Sequence, residues 1–294
     1  MMIMERLNDQ NKREFHDYCW LYASHLDQSF FPLNEAFPVA KSRPGFLFYD
    51  EGILTGVVCL LLDDSFTKNA KGRLMILHSR KKADQIYQML LEKVLPFAVE
   101  KNVKDIFAFL PDHEQQEKAV FLKLGFHESR KTLYLRRDKN TCGEHRLTKP
   151  IFKLRDFKPS KDMGLWCDLI NSVYKDVPGH IPYTPHMVKE DIETDGTFPG
   201  CARIAYLEGQ AIGFYYCSLE AQDELWISQL GVMNEYRSKG IGRALLHECL
   251  QLADEFNAHC AFSVNAENEA GIALFKSESF EVKKTYTAMV YPFK

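Results

Sequence analysis

At 294 residues the chain has room for two domains, since a single domain usually takes about 100–200 residues. Apolar residues make up 46% and charged residues 26%, an ordinary globular mix, and the formal net charge of -3 argues against nucleic acid as the main partner, because proteins that track phosphate backbones are usually basic. The longest apolar stretch, Ile53 to Leu62, is strand-sized and far short of the ~20 residues that span a bilayer, so no membrane partner is expected.

The chain opens on Met1 to Met4 and runs at once into Glu5, Arg6 and Asp9, without the apolar core of a signal peptide; the expectation is a cytoplasmic protein. The eight cysteines form no Cys-x-x-Cys pair and the ten histidines have no ligand spacing, which predicts buried, reduced thiols and no metal.

In chain order the first recognisable unit is a hairpin: Gly45 to Asp50, a Glu51-Gly52 turn, then Ile53 onward. The same rhythm returns at Gly200 to Leu219 around Glu208-Gly209, 157 residues later. A second match, Lys118 to Phe126 against Ile272 to Phe280, has an offset of 154. Two matches at nearly one offset predict a duplicated unit. The polar stretch from Asp138 to Lys149 separates the copies, giving an N-terminal domain over 1–139, a linker over 140–148 and a C-terminal domain over 149–294.

Within the second copy, Leu165, Trp166, Leu169, Ile170 and Val173 mark one face of a helix over 162–174, and Thr184-Pro185 starts a short helix through Ile192. Strands follow at about 202–207, 211–219 and 225–232, then a strongly amphipathic helix over 241–256, a strand over 259–264 and a helix over 268–276. Two last strands are expected near 281–285 and 288–291. The β-α-β unit from 225 to 264 requires a right-handed parallel crossover, and the remaining strands are hairpin-linked, so the fold class is α/β with a mixed sheet.

Between strand and helix lies Arg237-Ser238-Lys239-Gly240-Ile241-Gly242-Arg243. A helix N-terminus exposes unpaired N–H groups and a partial positive charge, and glycines let the backbone approach an anion closely. Three basic side chains surround the turn. A Rossmann site would need a third glycine where Leu245 stands, and a P-loop would need Gly-Lys-Ser/Thr, which does not occur.

Arg237-x-x-Gly240-x-Gly242, inside the run from Leu230 to Leu246, resembles the pyrophosphate-binding signature of the GCN5-related N-acetyltransferases (GNAT), and Asn268 with Ile272, Phe275 and Phe280 resembles that family's next motif. The resemblance covers 149–294 directly and reaches the first half through the repeat. It implies two tandem acyl-CoA N-acyltransferase (GNAT) domains, with acetyl-CoA as cosubstrate and a small-molecule or peptide amine as acceptor. In the family the central strand is bulged and splayed; Leu230, Gly231 and Val232 would pair with the pantetheine arm, the 237–243 turn would hold the diphosphate, and Asn268 and Phe275 would lie along the cofactor. Asn268 reads equally well as a helix cap.

Phe275 stands where the family often has a tyrosine acid, and Ser279 where a glycine usually precedes Phe280. Tyr286 is the nearest replacement acid. Glu224, beside Asp223, is the first candidate base, with His180 and His186 as alternatives, although the family carboxylate usually stands at the place of Trp226. In the first copy the matching turn, Arg80 to Ile86, has no glycine and carries Asp84, and Glu114 replaces Asn268, which predicts a copy that keeps the fold without holding CoA. The missing tyrosine also suits a non-catalytic acyl-CoA sensor, and a tandem amide synthase resembling mycothiol synthase is a further subtype. The sequence does not fix the oligomeric state; a homodimer stays open.

Overall fold

The computed structural model describes residues 1–25, 39–141, 151–177, 182–195, 198–220 and 223–293. The chain forms two compact units, and they are interleaved. Unit 1 comprises Met1–Leu133, Asn265–Glu267 and Lys284–Lys294; unit 2 comprises Tyr134–Val264 and Asn268–Lys283. The chain is therefore not divided at one point within 140–148: residues 134–141 count with the second unit, and the last eleven residues with the first. Most of the expected linker lies outside the described residues.

Unit 1 runs β1 (Met2–Arg6), α1 (Lys12–Leu21), β2 (Gly45–Asp50), β3 (Ile53–Leu61), α2 (Asp64–Thr67), β4 (Lys71–Ser79), α3 (Asp84–Glu100), β5 (Asp105–Pro111), α4 (Gln115–Lys123) and most of β6 (His127–Arg137). Unit 2 runs β7 (Lys153–Asp156), α5 (Pro159–Tyr174), α6 (Pro185–Asp195), β8 (Ala202–Leu207), β9 (Gln210–Glu220), β10 (Glu224–Val232), α7 (Ile241–Glu255), β11 (His259–Asn265) and α8 (Glu269–Ser277). The two strands expected after α8 are one, β12 (Glu281–Pro292). Nothing between 285 and 288 can turn the chain: Thr285-Tyr286-Thr287 are strand formers, and Thr287, Ala288 and Met289 are buried. From Tyr286 to Pro292 this strand lies antiparallel to β5 in unit 1.

Within each unit the strands pair in a mixed pattern. In unit 1 the antiparallel ladder β1-β2-β3-β4 meets β5 in a parallel pair. In unit 2 the ladder β7-β8-β9-β10 meets β11 in the same way. The hairpin turns repeat as well: Glu51 and Gly52 have φ of 51° and 76°, and Glu208 and Gly209 have 50° and 86°, the left-handed pair of a type I′ turn.

In unit 1, α3 covers the sheet with Tyr87, Leu90, Leu91 and Val94, all buried against Val58, Leu60 and Ile106. In unit 2, α7 buries Ile241, Leu245, Leu246, Cys249 and Leu250, each aliphatic side chain contributing roughly 1.5–3 kcal/mol by leaving water. On the other face, Trp166, Leu169, Ile170 and Val173 of α5 pack with Val188 of α6 on Ile204, Phe214 and Tyr216. The seven described cysteines are buried and unbridged. Among the described residues no helix is long and apolar enough to cross a membrane.

Candidate active site

The cleft of unit 2 starts as a failure of strand pairing. β10 pairs with β11 only at Glu224, Leu225 and Trp226, opposite His259, Cys260 and Ala261. A bulge at Ser228, between the Ile227 and Gln229 pairs with β9, turns the strand at the next step, and residues 229–232 stay paired with β9 alone. Leu230, Gly231 and Val232 thus lie on an edge that β11 does not pair.

α5 sits close over this edge because residue 231 has no side chain. A Cβ there would lie 2.7 Å from Val173 and 3.0 Å from the Phe214 ring. The next residue on α5, Tyr174, reaches the edge itself: its hydroxyl donates to the Leu230 carbonyl at 2.9 Å and accepts from the Leu230 N–H at 3.3 Å. Burial pushes the Tyr174 hydroxyl up to about 12, so it stays protonated.

The turn after β10 ends in the helix cap Gly240, at φ 78° and ψ -2°, a left-handed conformation open to glycine without strain. Ser238 also has a positive φ, 60°. Among the described residues no acceptor takes the backbone N–H of Ser238, Lys239, Gly240, Ile241, Gly242 or Arg243. This run of unused donors at a helix N-terminus is suited to a diphosphate. A Cβ on residue 242 would meet Leu274 at 3.6 Å and Val232 at 3.8 Å, ordinary contacts, so the fold alone does not demand glycine there.

The basic side chains are otherwise engaged. Arg237 Nε donates to the Val232 carbonyl at 3.0 Å and its NH2 group to the Val173 carbonyl at 3.2 Å, which pins the end of α5 to the end of β10. Lys239 donates to the Glu235 carbonyl at 3.1 Å and stands over the Tyr236 ring. Arg243 bonds Ser277 and pairs with Glu278 at 3.1 Å; His247 faces the same carboxylate at 3.0 Å. These groups make the neighbourhood positive, while the backbone offers the unused donors.

The other sequence-predicted residues are spread more widely. Asn268 is the N-cap of α8, accepting from Gly271 N–H at 3.0 Å. Phe275 is 2% exposed and stacks on Phe262 with centroids 4.4 Å apart; it is a core ring in the tyrosine's place. Glu224 lies where β10 is still paired on both sides, and it accepts from the Tyr134 hydroxyl at 2.7 Å. Asp223 pairs with Lys139 at 3.2 Å. Tyr286 belongs to unit 1, where it sits opposite Pro111. His186 is exposed on α6, and His180 lies outside the described residues.

Sequence reasoning missed three groups. One is Tyr174. Another is Gln229, just past the bulge, whose buried Oε1 has no hydrogen-bond partner. The third is a polar row on the same face of the sheet: Ser228 Oγ lies 3.4 Å from Ser218 Oγ, which donates to Glu220 at 3.1 Å. The bulge, which the resemblance implies for this strand without giving its position, falls at Ser228 and sets which of these point together.

Unit 1 repeats the geometry and fills it. β4 and β5 pair over three residues only, with a bulge in β4 between Leu74 and Ile76. Its following turn is shorter, from Ser79 to the cap Ala83, and engages three of its amides, Arg80 N–H on the Thr55 carbonyl and the Tyr18 hydroxyl, Lys81 N–H on Ser79 Oγ, and Lys82 N–H on the Ser79 carbonyl, while among the described residues no acceptor takes the N–H of Ala83, Asp84 or Gln85. Lys82 pairs with buried Glu117 at 3.0 Å, and His25 with Glu114 at 2.6 Å, bridging the start of α4 to its neighbours.

A β-α-β crossover splayed beside a bulged strand, with bare amides opening the next helix, is the fold of the GNAT acyltransferases. Residues 166–280 match the model of the Acetyltransferase (GNAT) family. The whole chain is similar in fold to a GCN5-related N-acetyltransferase from Sphaerobacter thermophilus, with a TM-score of 0.78 at 14% identity over 99% of this chain and 95% of that one. It is also similar to a tandem GNAT protein from the clavulanic acid biosynthesis pathway, with a TM-score of 0.74 at 13% identity over 99% and 98%. No curated protein matches the chain in sequence.

Proposed function

We propose that unit 2 transfers an acetyl group from acetyl-CoA to a primary amine of a small molecule or peptide, and that unit 1 shapes the protein without holding CoA. One observation carries this reading: the row of unused N–H groups from Ser238 to Arg243, at a helix N-terminus beside an unpaired strand edge. Hydrogen bonds to a charged group contribute about 1.5–3 kcal/mol each, so three or four of them would anchor a diphosphate. The edge at 230–232, which β11 does not cover and whose Leu230 groups are held only by the Tyr174 hydroxyl, lies at the right place for an amide-bearing pantetheine arm, and the shorter, glycine-free turn of unit 1, with Asp84 at its helix start, supports a single CoA site.

When bound, acetyl-CoA would supply a thioester whose acyl carbon takes the amine nitrogen, with the sulfur leaving as thiolate. Phe275 cannot donate a proton to it, and a thiol near 8.5, by analogy with cysteine, can leave without a dedicated acid. An alkyl amine, near ~10, arrives protonated and must lose a proton. Glu224 and its direct cross-strand neighbour Glu220 both lie about four strand residues from Gln229, on the order of 13 Å, and Glu224 is bonded to the Tyr134 hydroxyl. The row Ser228–Ser218–Glu220 starts beside Gln229 and is the better proton path. The buried Phe275 also suits a CoA sensor without turnover. The test that separates the readings is calorimetric titration with CoA together with thiol release from acetyl-CoA over an amine panel. Binding with thiol release supports the transferase, binding alone supports the sensor, and absence of binding removes both.

A further inference from the structure

A cavity of about 250 Å³ lies in unit 2 between α5, α6 and the sheet. Its wall is apolar and largely aromatic: Trp166, Val188, Ile192, Phe198 and Tyr216 line it. Gln229 closes it at the bulge, and Asp191 places a carboxylate on the same wall. Asp156, at the rim, is held by Arg203 at 2.8 Å.

Two features identify an occupant. A dry cavity of roughly 150 Å³ lined by aliphatic and aromatic groups holds a benzene ring, so this one has space for a ring and a short arm. At its sheet end, Gln229 Oε1 is buried and has no donor. A buried acceptor left without a partner costs about 1–3 kcal/mol, and an N–H of the occupant would remove that cost. Gln229 directly precedes Leu230, the first residue of the edge that β11 does not pair, so the sheet end of the cavity adjoins that edge. A sugar or polyamine would instead set many polar groups against rings that cannot bond them.

We propose that this cavity is the acceptor pocket and that the acceptor is an amine on an apolar, ring-sized body, its nitrogen donating to Gln229 Oε1. This rests on the acetyl-transfer reading and narrows it to a substrate class. The full chain is assayed for CoA binding by calorimetry, then for thiol release with phenethylamine, tryptamine, spermidine and glucosamine. The two aryl amines are expected to exceed the polar ones in kcat/KM by about 10-fold or more, and Gln229→Met, which keeps length and removes the acceptor atom, to raise their KM by about 10-fold with CoA affinity unchanged. A preference for spermidine or glucosamine, or an unchanged KM in Gln229→Met, overturns this assignment and leaves acetyl transfer standing. Failure to bind CoA, or binding without turnover of any amine, overturns the acetyl-transfer reading and this one with it.

Discussion

The Tyr174 hydroxyl holds both backbone groups of Leu230, the carbonyl at 2.9 Å and the N–H at 3.3 Å. These are the groups that β10 withdraws from β11, so the side chain satisfies an edge that the bulge leaves open. Any ligand that pairs with Leu230 has to displace this hydroxyl. Tyr174→Phe removes the competitor and keeps the ring, which packs against Phe214. A neutral hydrogen bond contributes about 0.5–1.5 kcal/mol, so CoA should bind about 2- to 10-fold more tightly to Tyr174→Phe, while the apo protein melts a few degrees lower. Calorimetry and a thermal melt read the two effects. Weaker CoA binding in the variant would show that the hydroxyl belongs to the ligand's own site.

Gly240 and Gly242 should separate folding from binding. Gly240 has φ 78°, so Gly240→Val places a β-branched residue in a left-handed conformation and should lower both stability and CoA affinity. Gly242 is helical, with 3.6 Å of clearance for a Cβ, so Gly242→Ala should be tolerated in both respects. Gly242→Val should leave stability within about 1 kcal/mol of wild type, since valine has a better helix propensity than glycine, and still weaken CoA by more than 10-fold by crowding the donors. Equal CoA affinity across wild type, Gly240→Val and Gly242→Val would place the diphosphate elsewhere.

The proton path predicts an order among carboxylates. Glu220→Gln should cut kcat for an alkyl amine by about 10²-fold or more, the usual range for general base catalysis, and leave CoA affinity unchanged. Glu224→Gln, opposite Glu220 but with its carboxylate held by the Tyr134 hydroxyl and not joined to the serine row, should stay within a few-fold of wild type. The reverse order, read from steady-state rates at pH 7 and pH 9, would return the base to Glu224.

Local pattern made most of unit 2 legible. The apolar spacing of α7, the Glu-Gly turns and the strand-turn-helix around Gly240 each rest on contacts between near neighbours in sequence, and they stand in the structure within a residue or two of expectation. What the sequence hid is long-range. β12 was expected as two short strands; it runs unbroken and finds its partner in β5, and a side-chain hydrogen bond beside that pairing joins Thr287 to Asp112, 175 residues apart. The bulge at Ser228 reassigns every side chain after it to the other face, so Gln229 enters the cavity for a reason no periodicity could give. Tyr174 read as the end of an amphipathic stripe, and only the missing side chain at Gly231 brings it to the strand edge.

Unit 1 should carry an acid sensitivity of its own. His78 is 1% exposed, next to Tyr22 and 2.9 Å from the Tyr18 hydroxyl. Burial lowers it from 6.5 to about 4, with Glu117 acting in the opposite sense and His25 and Lys82 reinforcing the decrease. The folded state therefore favours the neutral ring. Above pH ~6.5 the ring is neutral in both folded and unfolded chains, and its contribution is fully present. As the pH falls from about 6.5 to about 4, the unfolded chain takes a proton that the folded unit refuses, and stability drops by about 3 kcal/mol across that window. His78→Gln removes the titrating group, so its melting temperature should change less between pH 7 and pH 4.5 than that of the wild type, whatever the substitution costs at neutral pH. Parallel pH profiles for the two proteins would show that other groups set the acid limit.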